Sequence, residues 1–154
     1  MKICSICNKE KHDIDFCKEK RTNDGLESRC KDCKNKKRSE RRSTLIGYIR
    51  NAVCRKDRSK LNYVDVLKLY HKQKGRCALS GIKMTHQYGE GLVPTNISID
   101  RINKGIDGGE YTIDNIRLLC VHVNMALNMW TDKEFIEMCQ QIINNNRRDN
   151  ESIK

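Results

Sequence analysis

Apolar residues in this chain come in short clusters between long polar stretches, and the spacing inside each cluster indicates an element. Leu45, Ile46, Ile49 and Val53 recur at helical spacing within a Pro-free run, which predicts one long helix over residues 31 to about 59. Gly47 weakens that helix from within. Val64, Val66, Leu67, Leu69 and Tyr70 are the core candidates of a second helix, Tyr63 to Gln73, with Asn62 as N-cap and Gly75 as stop. Arg76 to Ile82 reads as a turn flanked by short strands, and His86 to Asn96 as a Gly-rich loop holding the one proline, Pro94. Two short apolar runs follow, Ser98-Ile99-Asp100-Arg101-Ile102 and Ile116-Arg117-Leu118-Leu119, each reading as a strand. A helix then carries Asn124 and Asn128, four apart and so on one face. The last helix, about Thr131 to Asn144, opens on a Thr131/Glu134 capping box. Phe135, Ile136, Met138, Cys139, Ile142 and Ile143 supply its expected buried stripe, and the Asn/Arg-rich tail is expected to fray.

The length, 154 residues, suits one ordinary domain or one small domain with a stapled appendage. The formal charge of +11 favours a polyanionic partner, nucleic acid or an anionic surface. The charge is unevenly placed: from Lys34 to Lys60 there are eleven Lys or Arg and two acids. That density points to nucleic-acid contact, with solubilising charge as the alternative. On the long helix, Lys36, Lys37, Arg38, Arg41 and Arg42 would face phosphates, contacts that position a duplex without reading its sequence. No apolar run approaches a membrane span and no signal-peptide pattern opens the chain, so a soluble, intracellular protein without a membrane partner is expected. A viral origin would place it in host cytoplasm or nucleus, or in the virion.

Nine cysteines in such a chain argue for metal ligation over a disulfide framework. Cys4-x-x-Cys7 and Cys30-x-x-Cys33, separated by 22 residues, each supply one edge of a tetrahedral Zn²⁺ site. The stretch between them is polar apart from Phe16 and holds the turn signal Asn23-Asp24-Gly25. It cannot build its own core, so a structural zinc is expected, with free buried thiols as the alternative. Cys17 is read as a spare thiol, and His12 and His71 as surface residues.

Asp100 at a strand end, with amide oxygens of Asn124 and Asn128 on a facing helix, makes a plausible hard-cation site. Gly75-Arg76-Cys77, Ser80-Gly81, Ser98 to Ile102, Gly108-Gly109, Tyr111-Thr112, Asn115, Cys120 and Asn124 together resemble the HNH, or His-Me finger (ββα-metal), endonucleases, in the variants common in phages and other large DNA viruses. The Cys₄ module followed by a basic helix is similar to zinc modules often fused to such nucleases. The resemblance implies a Mg²⁺-like ion on Asp100, with Asn124 and Asn128 on the metal side and Asn115 orienting the general base. The position of that base is Arg101, which cannot accept a proton but could clamp a phosphate bidentately. His86, His122 and Tyr111 are the other candidates. The family's flanking CxxC pairs read here Cys77-Ala78-Leu79-Ser80 and Cys120-Val121-His122-Val123. Cys77, Cys120 and His122 therefore form either a depleted metal site or a hydrophobic replacement core.

The expected fold is α+β: a zinc-stapled module over residues 1–35, a basic helical segment over 36–74, and a ββα-metal nuclease domain over 75–147, packed with flanking helices. The expected function is metal-dependent hydrolysis of DNA phosphodiesters, with a dimer or sequential nicks needed to cut both strands. The alternatives are a DNA-binding protein descended from such a nuclease with weak or lost catalysis, and a structural or packaging partner.

Overall fold

A computed structural model describes residues 1–105 and 109–151; Gly108, part of the expected Gly-Gly signal, lies outside them. The described chain is α+β, with five α-helices and three two-stranded antiparallel sheets. Two separate apolar clusters organise it.

The smaller cluster belongs to the N-terminal module. β1 (Lys2–Ile3) pairs with β2 (Glu10–Lys11), and β3 (Phe16–Lys18) with β4 (Leu26–Cys30). The turn before β4 forms as Asn23-Asp24-Gly25 predicts: Gly25 takes φ +69° and Leu26 N–H donates to Asp24 Oδ1 at 3.2 Å. Only Cys4, Phe16 and Cys30 are buried in this cluster, so side-chain burial alone holds little of the module together.

The long helix expected over 31 to about 59 is in fact two. α1 (Lys31–Ser43) buries no residue, and α2 (Leu45–Val53) starts anew after Thr44. The reason is local. Thr44 sits in extended backbone, accepts from Gly47 N–H at 3.1 Å and donates its hydroxyl to Arg41 O at 2.8 Å. It caps one helix while satisfying an orphan carbonyl of the other. Gly47 makes the join compact, since a Cβ there would lie 1.9 Å from the Arg41 carbonyl oxygen. The break lets α2 turn Ile49 into the larger core while α1 stays solvated; Ile46, part of the predicted stripe, remains exposed.

α3 (Tyr63–Lys72) is capped as expected, Asn62 Oδ1 accepting from Val64 N–H at 2.9 Å. It ends where Gly75, at φ +67°, donates to Tyr70 O. α2 and α3 both pack in the core that holds the hairpin, so residues 45–72 group with the C-terminal unit rather than forming a separate linker. The Arg76–Ile82 turn closes on an Arg76–Lys83 bridge.

The centre of the molecule is the hairpin of β5 (Ile97–Arg101) and β6 (Ile116–Cys120), in register from Ile97 opposite Cys120 to Arg101 opposite Ile116. Alternation sorts its side chains. Ile97, Ile99, Ile116 and Leu118 join the core with α2 and α3. Ser98, Asp100, Arg117 and Leu119 take the other face, over which α4 (Val121–Leu127) folds back directly from β6. α5 (Asp132–Glu151) opens on the predicted capping box, with Thr131 N–H and hydroxyl on Glu134 Oε2 at 2.8 and 2.7 Å. Its predicted stripe is only half covered: Phe135, Met138 and Cys139 are half-buried, whereas Ile136, Ile142 and Ile143 are exposed. The helix also continues past Asn144, where fraying was expected.

The α1–α2 joint yields a test. Gly47→Ala is expected to lower stability by at least about 1 kcal/mol, because the added methyl meets backbone rather than a movable side chain. Urea denaturation followed by circular dichroism measures it; an unchanged midpoint would remove the steric role given to Gly47.

Candidate functional site

The four cysteines of the N-terminal module converge as their spacing predicts. The Sγ atoms of Cys4, Cys7, Cys30 and Cys33 all lie within 4.8 Å of one another, a set that could hold a metal ion such as zinc. Two turns present them: Cys4 precedes a tight turn closed by Asn8 N–H on Cys4 O, and Cys30 ends β4 where α1 begins. Cys4 Sγ accepts from Ile6 N–H at 3.4 Å and Cys30 N–H at 3.3 Å. Backbone N–H donors from Cys30, Cys7 and Ile6 draw the Cys4 thiol down to about 6. Cys33 is pushed up to about 12, first by its hydrogen bond with Cys30 and then by burial. Four crowded thiols cannot all ionise unless a cation joins them, and backbone donors to sulfur are the support a tetrathiolate centre uses. Among the described residues this is the one cluster of three or more Cys, His, Asp or Glu able to hold a metal.

The second candidate site lies between the hairpin and α4. Asp100 is 4% exposed. Its Oδ2 accepts from Arg117 Nε at 2.9 Å, its partner directly across the strands. Arg117 also grips Asp132, the first residue of α5, at 2.5 and 2.6 Å. Asp100 Oδ1 faces the Lys104 ammonium at 3.7 Å, and that ammonium also donates to the Asn128 backbone carbonyl. Asn124 donates from Nδ2 to Ser98 Oγ at 2.7 Å, across the helix–hairpin interface. Asn128 does not share the helix face of Asn124: it is the C-cap, at φ +43°, and contributes its carbonyl. Asp100, Asn124 and the Asn128 backbone thus flank one side of the hairpin, and Lys104 sits where a cation is called for.

Arg101 points to the opposite face by strand alternation. It donates to Gly109 O at 3.0 Å, and its guanidinium lies 4.9 Å from the Tyr111 ring centre. Asn115 staples the loop between the strands. Its Nδ2 donates to Asn103 O and Glu110 O, and its Oδ1 accepts from Asn103 N–H. It therefore orients backbone, and each of these contacts is made to the loop rather than to a base. The two histidine candidates for the base are misplaced. His86 bonds the Ser43 carbonyl, and its neighbour Thr85 bridges to Asn96, four residues and about 13 Å of strand before Asp100. His122 is exposed at that same end, its N–H on Pro94 O. Tyr111 alone of the three lies at the Arg101 end.

Cys77 and Cys120 are buried in the main core, with Val123 packed against it, while His122 stays outside. Burial, and then Cys77 beside it, pushes Cys120 up to about 11. Burial acts on Cys77 too, but Ser80 and nearby backbone N–H groups outweigh it and lower that thiol. The replacement-core alternative describes this geometry. On α1, Lys36, Lys37, Arg38 and Arg41 are exposed, and a shallow cleft lined by Lys37, Arg38 and Arg41 lies beside them. Arg42 departs from expectation: it is half-buried, bonded to the Tyr88 hydroxyl and stacked over its ring at 5.1 Å.

Arg117, Asp132 and Lys104 carry much of this arrangement and were not singled out from the sequence. The alternation that places Asp100 also placed Arg117 on its face, but nothing local marks Asp132 or Lys104 as its neighbours. No family model matches the chain, and neither does a curated protein or a solved structure.

Two outcomes are expected. Metal analysis should find about one Zn²⁺ per purified chain, lost on Cys30→Ser; metal-free wild type would remove the centre. Arg117→Gln should cost about 3 kcal/mol, because it leaves Asp100 buried with only a loose lysine contact. Arg117 also holds the Asp132 carboxyl below its ordinary range. That part of the stability is present at neutral pH and drains away as pH falls below about 4. Thermal melts at pH 7 and pH 3 should therefore show a smaller wild-type-to-variant gap at pH 3; an equal gap would deny the ion pair.

Proposed function

We propose that this protein binds DNA through its N-terminal module and basic α1, and that its hairpin–helix unit is a phosphodiesterase site of the HNH type, making it a metal-dependent DNA endonuclease. The observation that carries the reading is the face shared by Asp100, Ser98 and Asn124 between the hairpin and α4, in a chain whose α1 exposes Lys36, Lys37, Arg38 and Arg41. A tetrathiolate zinc gives the small module its missing core and fixes the start of α1, since Cys30 and Cys33 flank that start. That zinc centre is closed and structural.

The donor chemistry of the second site fits a hard cation. Asp100 Oδ1 and the Asn128 carbonyl already converge on one positive group, the Lys104 ammonium, at a place where Mg²⁺ would find two oxygens and complete its shell with water and substrate phosphate. Such an ion, when bound, stabilises the charge that develops on phosphorus and on the leaving oxygen. The chain's own groups do the positioning. Arg117 holds Asp100 in place from the far oxygen, and Asn124 locks α4 to Ser98. Arg101, on the opposite face at the strand end, supplies a guanidinium for a neighbouring phosphate. With both histidines at the other end of the hairpin, hydrolysis is expected to be slow.

A second reading has a specific observation behind it. If Lys104 holds its place permanently, the ammonium substitutes for the metal and the chain is a DNA-binding derivative of a nuclease. One experiment separates the two. Supercoiled plasmid is incubated with the protein and Mg²⁺ or Mn²⁺, with EDTA, Asp100→Ala and Lys104→Ala as controls. Slow metal-dependent nicking, abolished by EDTA and by Asp100→Ala, is the expected result. Intact plasmid retarded in a salt-dependent way, with Lys104→Ala no more active, would replace the nuclease by the binding protein. Neither nicking nor retardation would end both readings. In the retardation arm, Lys36→Ala, Lys37→Ala or Arg41→Ala should each flatten the salt slope by about 1.

A further inference from the structure

The hairpin leaves one edge of β5 outside its pairing with β6, and that edge forms the floor of a groove of about 470 Å³. α2 and the turn after it form one wall with Tyr48, Asn51, Arg55 and Arg58; the Gly-rich loop forms the other with Gln87 and Tyr88. Ile97 N–H donates to Thr85 O at 2.9 Å and Tyr48 donates its hydroxyl to Ile97 O at 3.3 Å, so a single backbone bridge and side chains, rather than a further strand, meet this edge. Two arginines line the groove and no acid does among the described residues.

Arg58 is the informative member. It is only 7% exposed, yet among the described residues no carboxylate lies within ion-pair distance of it. Its Nη1 donates to Ala52 O at 2.8 Å, and its Nη2 reaches Ile99 O at 3.4 Å. Its guanidinium lies 4.9 Å from the Tyr111 ring centre, and its buried Nε has no hydrogen-bond partner. A buried guanidinium without an anion is costly to keep, and a donor left unsatisfied beside a groove marks a place for an acceptor. Arg55, exposed at the rim, adds a second charge.

The groove is also one station on a longer cationic path. Asn51 is shared with the next depression, which Arg41, Arg42 and Arg50 line. In the other direction Tyr111 carries Arg58 and Arg101, each at 4.9 Å, beside a depression that Asp57 and the Lys60–Glu110 pair also line. Charges spaced along a path suit a polyanion better than a single small ion, and tyrosines between arginines suit an unpaired strand, whose bases stack on aromatic faces.

We propose that the groove along the outer edge of β5 holds a backbone phosphate of single-stranded DNA, with Arg58 as the buried anchor and Arg55 as the rim contact. This rests on the nucleic-acid-binding reading above and narrows it to a substrate with an unpaired segment beside the finger, such as a branch or a displaced strand.

The test uses the full chain labelled with ¹⁵N-arginine. The Arg58 Nε–H signal, assigned by its absence in Arg58→Lys, is followed during titration with a 12-mer oligothymidylate, with thymidine monophosphate and with inorganic phosphate. The expected result is a shift that saturates with the oligonucleotide at a concentration at least about tenfold lower than with either small anion. Arg55→Ala, at an exposed position, should keep the circular dichroism spectrum and weaken oligonucleotide binding, with the salt slope lowered by about 1. Equal saturation by thymidine monophosphate would make this a free-nucleotide site and overturn the proposal. An unmoved Arg58 signal, with Arg55→Ala binding as wild type while plasmid is still retarded, would sink the groove and leave the α1 reading intact. Loss of all nucleic-acid binding would sink both.

Discussion

Arg117 holds two carboxylates that the chain brings from different places. Asp100 lies opposite it on the neighbouring strand, and Asp132 begins the last helix. One guanidinium thus ties the hairpin to α5 and fixes the buried acid around which the second site is arranged. A buried acid needs this kind of partner, and a buried arginine needs its charge returned. The site geometry depends on that exchange: with Oδ2 of Asp100 committed to Arg117, only Oδ1 is turned towards Lys104 and the end of α4. The same bond that stabilises the fold therefore decides which oxygen stays clear of Arg117.

The rest of the architecture answers a shortage of apolar residues. The N-terminal module buries only two cysteines and a phenylalanine, and its four converging thiols could hold a metal ion that supplies what a core would supply elsewhere. The larger core draws on both helices that precede the hairpin, α2 and α3, as well as on the strands themselves. α1 meets a core only at its start, where Cys33 packs against the N-terminal cluster. It buries no residue, and Lys36, Lys37, Arg38 and Arg41 stay exposed and available to a polyanion. The Arg42–Tyr88 pair, the groove beneath α2 and the Arg58–Tyr111–Arg101 stack place arginines and tyrosines around the outer edge of β5 and the strand end.

Much of this was legible residue by residue. The CxxC spacing named the cysteine cluster, because two short pairs separated by a polar stretch have few other uses. Asn62, Gly75 and the Thr131/Glu134 box marked helix ends correctly, since caps act within one turn of chain. The two strands were visible as short apolar runs, while the face each side chain takes came with their pairing. The errors share a cause. The break at Thr44 was missed because Thr44 competes as a cap only when α2 is drawn into the core, a demand set by Ile49 and the hairpin. The α5 stripe was read as buried because amphipathic spacing shows that a face exists, and the size of the body it meets decides how much of that face is covered.

What the sequence determined by itself was the set of local decisions: caps, turns, the two short strands, ligand spacing, and a surplus of positive charge concentrated in one segment. These follow from interactions spanning a few residues, whose geometry the covalent chain nearly prescribes. The tertiary structure decided which charges meet. Asp100 finds Arg117 and Lys104, Asn115 staples a loop, His86 and His122 fall at the far end of the hairpin, and Arg58 is buried with no described carboxylate within ion-pair distance. Those outcomes depend on how helices and hairpin pack around apolar residues distant in sequence. Electrostatic partnership falls off with distance in space, and distance in space is what packing sets.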